Sequence, residues 1–233
     1  MSKVYETLRR QERSRLTPMT GVLQERPRLS TSKRRQLEAL YQSLDSSLSS
    51  AGRAVAFTAS RTGEGTTTIV QQFATFLIST FKAALLIVDA NPNQAIANGW
   101  NGGPAPLAEL VRALPSNGGP PAQRHSMRVA SLPPDVVNIL ARGNNAAELV
   151  DMVRLRAHFD YILFDVPAIS THPAAVSIGR HVDGVVIIVE AERTRWPVVA
   201  NTKQAYQAVG ANVLGVVLNK RRFYIPNWIY KQL

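Results

Sequence analysis

Five apolar runs decide what this chain can fold into. They are "AVAFTAS", "AALLIVDA", "DYILFDV", "GVVIIVEA" and "ANVLGVVLN". None alternates between apolar and polar residues, and each of the first four is followed by a stretch with helical spacing. Strands without alternation are buried on both faces. Strands that alternate with helices stack as a parallel sheet between two helical layers. The chain therefore reads as a doubly wound, mostly parallel α/β fold with helices on both faces. In such sheets ligands sit beyond the carboxyl ends of the strands. Four features fall at those ends: the loop over residues 60–67, Asp89, Asp165 and Asn219.

The loop carries the sharpest chemical signal. "FTASRTGEGTTTIV" is strand, glycine turn and helix in succession. Glycines let backbone N–H groups turn inward, and a helix N-terminus adds partial positive charge, so this arrangement suits a phosphate. Gly63 and Gly65 supply the turn. Thr67 or Thr68 offers a hydroxyl to a magnesium ion, and Asp89 and Asp165 can hold the metal's water shell or orient an attacking hydroxyl. The usual loop ends in G-K-[ST], but Thr66 occupies the lysine's place. Losing that charge costs about 3–4 kcal/mol of transition-state stabilisation, on the scale of other electrostatic knockouts. It cuts turnover more than binding. Arg61, at the start of the loop, is a candidate substitute.

The remainder organises around this core. Residues 2–14 read as a short amphipathic helix, 15–33 as a linker and 34–49 as a helix carrying Leu37, Leu40, Tyr41, Leu44 and Leu48. Loops rich in Pro, Gly and Asn span 91–104 and 115–126, with a helix at "PLAELVRAL" between them. A strand at "MRVASL", helices near 135–141 and 144–158, a helix at "HPAAVSIGRH" and another over 197–209 complete the pattern. The expected divisions are a basic helix and linker over 1–33, the α/β domain over 34–218 and a basic aromatic tail over 219–233.

Charge and composition narrow the partners. Among 233 residues the net charge is +11. Residues 1–50 hold ten Lys/Arg against five Asp/Glu, and the last fifteen hold four basic residues and no acid. Such a balance favours a membrane surface, nucleic acid or an acidic protein. There is no cysteine, which excludes disulfides and thiolate metal sites. No apolar run approaches the roughly 20 residues that cross a bilayer, and the N-terminus lacks a signal-peptide core. A cytoplasmic protein is the expectation.

The blocks "TASRTGEGTTT", "LLIVDAN", "ILARGNNAAELVDM", "FDYILFDVPAI", "VDGVVIIVEAERTRWPVV" and "VLGVVLNKRRFYIPNWIY", with the opening "MSKVYETLRRQERSR", resemble the bacterial tyrosine-kinase family of exopolysaccharide assembly. That family lies within the MinD/ParA superfamily of P-loop proteins. The resemblance implies Mg-ATP as cofactor, a membrane-spanning polysaccharide co-polymerase as activating partner, a peripheral place at the inner membrane, self-association, and autophosphorylation on C-terminal tyrosines. By position it implies Asp89 and Asp165 as catalytic residues and Thr67, Asp89 and Asp165 as metal ligands. The nucleotide set is Arg61, Gly63, Glu64, Gly65, Thr66, Thr67, Thr68 and Asn219, with Asn219 near the base. Tyr224 and Tyr230 are the candidate phosphoacceptors.

The departures run one way. Thr66 replaces the loop lysine, and Asn91 replaces the second acid of a D-x-D motif. Tyr41 and Leu44 replace the arginines of an E-x-x-R-x-x-R self-association pattern that keeps Glu38, and the tyrosine cluster is thin. They imply a kinase-like accessory protein with weak or lost activity. Two alternatives stand beside it: an active autokinase in which Arg61 or a partner supplies the missing charge, and a ParA-like partitioning ATPase that binds DNA. The last fits the "EAERTRWPVV" and "NKRRFYIPNW" blocks less well.

Overall fold

The computed structural model describes residues 29–48, 53–91, 96, 105–115, 126–132, 134–141 and 151–221. The elements in chain order are α1 (Thr31–Ser47), β1 (Arg53–Ala59), α2 (Thr66–Phe81), β2 (Leu85–Asp89), β3 (Ala105–Pro106), α3 (Leu107–Ala113), β4 (Met127–Ser131), α4 (Pro134–Ala141), α5 (Met152–His158), β5 (Tyr161–Asp165), a 3₁₀ helix (Pro173–His181), β6 (Gly184–Glu190), α6 (Trp196–Ala208) and β7 (Val213–Asn219). The expected helix over 2–14, most of the 15–33 linker, the 144–150 part of the helix drawn over 144–158, and Tyr224 and Tyr230 lie outside the described residues.

All strand pairs are parallel, in the order β3-β4-β2-β5-β1-β6-β7. Successive side chains of a strand point to opposite faces, and β1 shows the consequence. Ala54 and Ala56 join one core, with Leu86, Phe164, Leu155 and Tyr206 under α3, α5 and α6. Val55 and Phe57 join the other, with Phe73, Leu77 and Leu163 under α1 and α2. β2 is buried along its whole length, which explains its unbroken apolar run. The edge strand β7 does alternate partly exposed residues, and Val216 and Leu218 reach solvent.

Helix α1 begins three residues before the expected start because Ser30 caps it, accepting the Lys33 N–H at 3.4 Å. Its apolar face packs on α2. Leu37 and Leu44 are buried, and Tyr41 stacks on Phe81 with ring centroids 4.4 Å apart. The two positions that break the arginine pattern are thus packing residues, while Glu38 is exposed. No helix among the described residues is long and apolar enough to cross a membrane.

Because β1 sits centrally with β5 and β6 at its sides, the loop after β1 lies among the ends of β2, β5, β6 and β7. Asp89 and Asp165 are register partners on adjacent strands.

Candidate nucleotide site

The loop takes its shape from two left-handed glycines, Gly63 at φ 87° and Gly65 at φ 97°. Gly65 is the N-cap of α2 and offers no side-chain acceptor. The first N–H groups of α2 therefore lack the intrahelical and side-chain partners that a helix start otherwise finds. Thr66 and Thr67 are half-buried and Thr68 is exposed. Gly65 is also a point of close approach. A Cβ there would lie 2.2 Å from the Asn219 side-chain nitrogen.

Asn219, at the end of β7, holds the loop from one side. Its Nδ2 donates to the Glu64 carbonyl at 2.8 Å, and its Oδ1 accepts the Lys220 N–H at 2.9 Å. Glu64 holds it from within. Its carboxylate is buried and accepts the Arg61 N–H at 2.9 Å, the Glu190 N–H at 3.4 Å and the Thr194 hydroxyl. Of the expected nucleotide set, Glu64 is therefore a brace that ties the loop to the end of β6, with its carboxylate turned away from solvent. Arg61 is exposed, and its guanidinium engages no side chain among the described residues.

Asp165 is the electrostatic centre. Its Oδ2 accepts the Thr67 hydroxyl at 2.8 Å, which ties the end of β5 to the first turn of α2. Its Oδ1 is buried with no hydrogen-bond partner among the described residues. Burial pushes the carboxyl up to about 7; the charge of Asp89 adds to this, against the bonds from Thr67 and Asn91. Asp89 is also fully buried, but both of its oxygens are engaged. Oδ1 accepts the Asn91 N–H at 2.9 Å and Oδ2 the Ile96 N–H at 3.0 Å. In this geometry Asp89 shapes the turn after β2. Asn91 donates its side-chain amide to the Asp165 carbonyl at 3.4 Å. A carboxylate at 91 could not make that bond and would place a third negative charge beside the first two.

Lys220 went unnoticed in the sequence. Its Nζ reaches the Gly63 carbonyl at 2.5 Å and Glu190 Oε2 at 3.2 Å. The only sequence hint is its place directly after a strand-end asparagine. Lys220 also lines a groove of about 610 Å³ with Gly65, Thr68, Gln72, Leu40 and Leu218. That volume is in the range of small-molecule sites.

An unpartnered buried carboxylate oxygen beside a row of open N–H donors fits a metal-bound anion. The N–H groups attract the anion, and the carboxylate calls for a cation next to it. A magnesium ion would suit this donor set, and Asp165 Oδ1 and the Thr67 hydroxyl oxygen would hold it. Such an ion would neutralise charge on phosphate oxygens.

No family model matches the chain. It is 28% identical over 172 residues to the tyrosine-protein kinase CpsD of Streptococcus agalactiae, covering 71% of this chain and 74% of that protein. It is 24% identical over 189 residues to the succinoglycan biosynthesis transport protein ExoP of Rhizobium meliloti, covering 73% of this chain and 22% of ExoP. In structure it resembles the kinase domain of the Escherichia coli tyrosine kinase ETK with a TM-score of 0.63, at 17% identity, over 89% of this chain and 88% of that domain. The fold is thus the P-loop NTPase-like α/β fold expected from the apolar runs, and the chain is a relative of the bacterial tyrosine kinases.

Proposed function

We propose that the chain is a kinase-like accessory component of bacterial exopolysaccharide assembly. It binds Mg-ATP weakly, turns it over little or not at all, and acts by docking on a membrane-spanning polysaccharide co-polymerase at the inner membrane. The observation that carries this reading is Asp165. Its free buried oxygen stands beside Thr67 and the start of α2, so the metal–phosphate half of a kinase site is kept while Thr66 removes the charge that drives turnover. The names of CpsD and ExoP support the polysaccharide setting.

The test is co-purification with the cytoplasmic segments of a polysaccharide co-polymerase from the same organism. Retention is expected, with loss on deleting residues 1–15 together with 220–233. Unchanged retention and unchanged polysaccharide output in that deletion would refute the docking role.

The cation on the loop, Lys220, favours a second reading, a residual tyrosine autokinase acting on Tyr224 or Tyr230. Phosphotyrosine on protein expressed with its partner, lost in Asp165→Asn, would establish it. Absence of signal, or a signal that survives Asp165→Asn, would reject it.

A further inference from the structure

We infer that Lys220 is the cation of this phosphate site and stands in for the loop lysine that Thr66 lacks. The inference rests on reading the site as one for Mg-ATP. Three observations carry it beyond a surface contact.

The first is reach. The Lys220 ammonium already sits on the loop, 2.5 Å from the Gly63 carbonyl, although 157 residues separate the two in sequence. It also lines a groove with Gly65 and Thr68, which runs along α2 between α1 and β7.

The second is aim. Lys220 adopts a left-handed backbone, φ 56°, which a side-chain-bearing residue holds only where its surroundings enforce it. Here Asn219 enforces it. One end of its amide accepts the Lys220 N–H, and the other donates to the Glu64 carbonyl. The group that pins the loop therefore also turns the lysine back over it.

The third is availability. Lys220 pairs with Glu190, but Glu190 has a second cation, Arg193, at 3.3 Å. Glu190 keeps an ion pair when Lys220 swings to a phosphate. The Lys220 side chain is 45% exposed, so moving its charge carries little desolvation cost. Arg61, the substitute suggested by sequence position, shows no comparable contact among the described residues.

The test is calorimetric titration of the full chain with Mg-ATP at low salt. The set is the natural protein, Lys220→Gln, Lys220→Arg, Thr66→Lys and the double variant Thr66→Lys/Lys220→Gln. Gln keeps a donor and most of the length but removes the charge. A charge-assisted contact predicts that Lys220→Gln weakens binding about tenfold or more and that Lys220→Arg retains most of it. Once Thr66→Lys is present, Lys220→Gln should cost little, because the two cations serve one phosphate. A merely structural clamp would lower the melting temperature of Lys220→Gln without this non-additivity. Binding by Lys220→Gln equal to that of the natural protein overturns the role of Lys220 and leaves the nucleotide reading standing. Failure of both the natural protein and Thr66→Lys to bind overturns the nucleotide reading, and the role of Lys220 with it.

Discussion

Asp165 carries a pH signature. Its carboxyl titrates near 7, against an ordinary value of 3.8, because burial opposes its charge. The native metal-free protein therefore holds this proton more tightly than the unfolded chain does. Its stabilising effect is full below the ordinary value and is lost as pH rises toward 7. At pH 8 the buried charge costs on the order of 4 kcal/mol, taking 1.36 kcal/mol per pH unit. Asp165→Asn still accepts the Thr67 hydroxyl and removes that cost. Its melting temperature should exceed that of the natural protein at pH 8, and the gap should narrow by pH 5 and close only below about pH 4. An equal gap at both values would contradict the assignment. The glycines make a second prediction. Gly63→Ala meets nothing within 4 Å and pays only for its left-handed backbone, about 1 kcal/mol. Gly65→Ala pays the same and also strikes Asn219, so chemical denaturation should show the larger loss, relieved in part by Asn219→Ala. Asp165, Thr67 and the two glycines were legible in the sequence because each follows from a strand-end or loop pattern. Glu64 as a brace and Lys220 as a loop contact were not. Their partners lie 126 to 157 residues away, and no local spacing encodes them.

At the level of elements, periodicity identified the strands well because burial on both faces leaves no room for a polar residue. β3 escaped notice. It is two residues long, ends in Pro106, and sits on the sheet edge, where a missing N–H is tolerated. The "HPAAVSIGRH" segment is a 3₁₀ helix, with the Ser177 hydroxyl bonding back to the Ala174 carbonyl at 2.6 Å. An apolar pattern over nine residues does not separate that from an α-helix. The helix before β1 was expected from its leucines, but its role was not. Tyr41 and Leu44 replace charged residues in a self-association pattern, and in the structure they glue α1 to α2. Leu44→Ala should therefore destabilise the protein by about 2–5 kcal/mol, as buried leucine truncations do. Glu38→Ala, on the exposed side, should stay within about 0.5 kcal/mol. Equal effects in urea unfolding would show that α1 is not part of the core.

For the molecule as a whole, the parallel sheet collects the loop, Asp165 and Asn219 at the carboxyl ends of its strands, a placement that follows from the strand pattern of the five apolar runs. The site is less complete than the fold. Glu190, whose burial would raise its carboxyl, is held below the usual carboxylate range by the hydrogen bond and charge of Lys220 and by the charge of Arg193. This ion cluster puts one cation, Lys220, on the rim of the loop, where it makes up for the absent loop lysine only in part. The account therefore requires a phosphate site that is present but under-charged. The most direct measurement is Mg-ATP titration of the natural protein beside Thr66→Lys. Weak binding by the natural protein, clearly tightened by the lysine, is the expected result. Equal and tight binding by both would show that the site never needed the lysine, and would contradict the claim of a weakened kinase site.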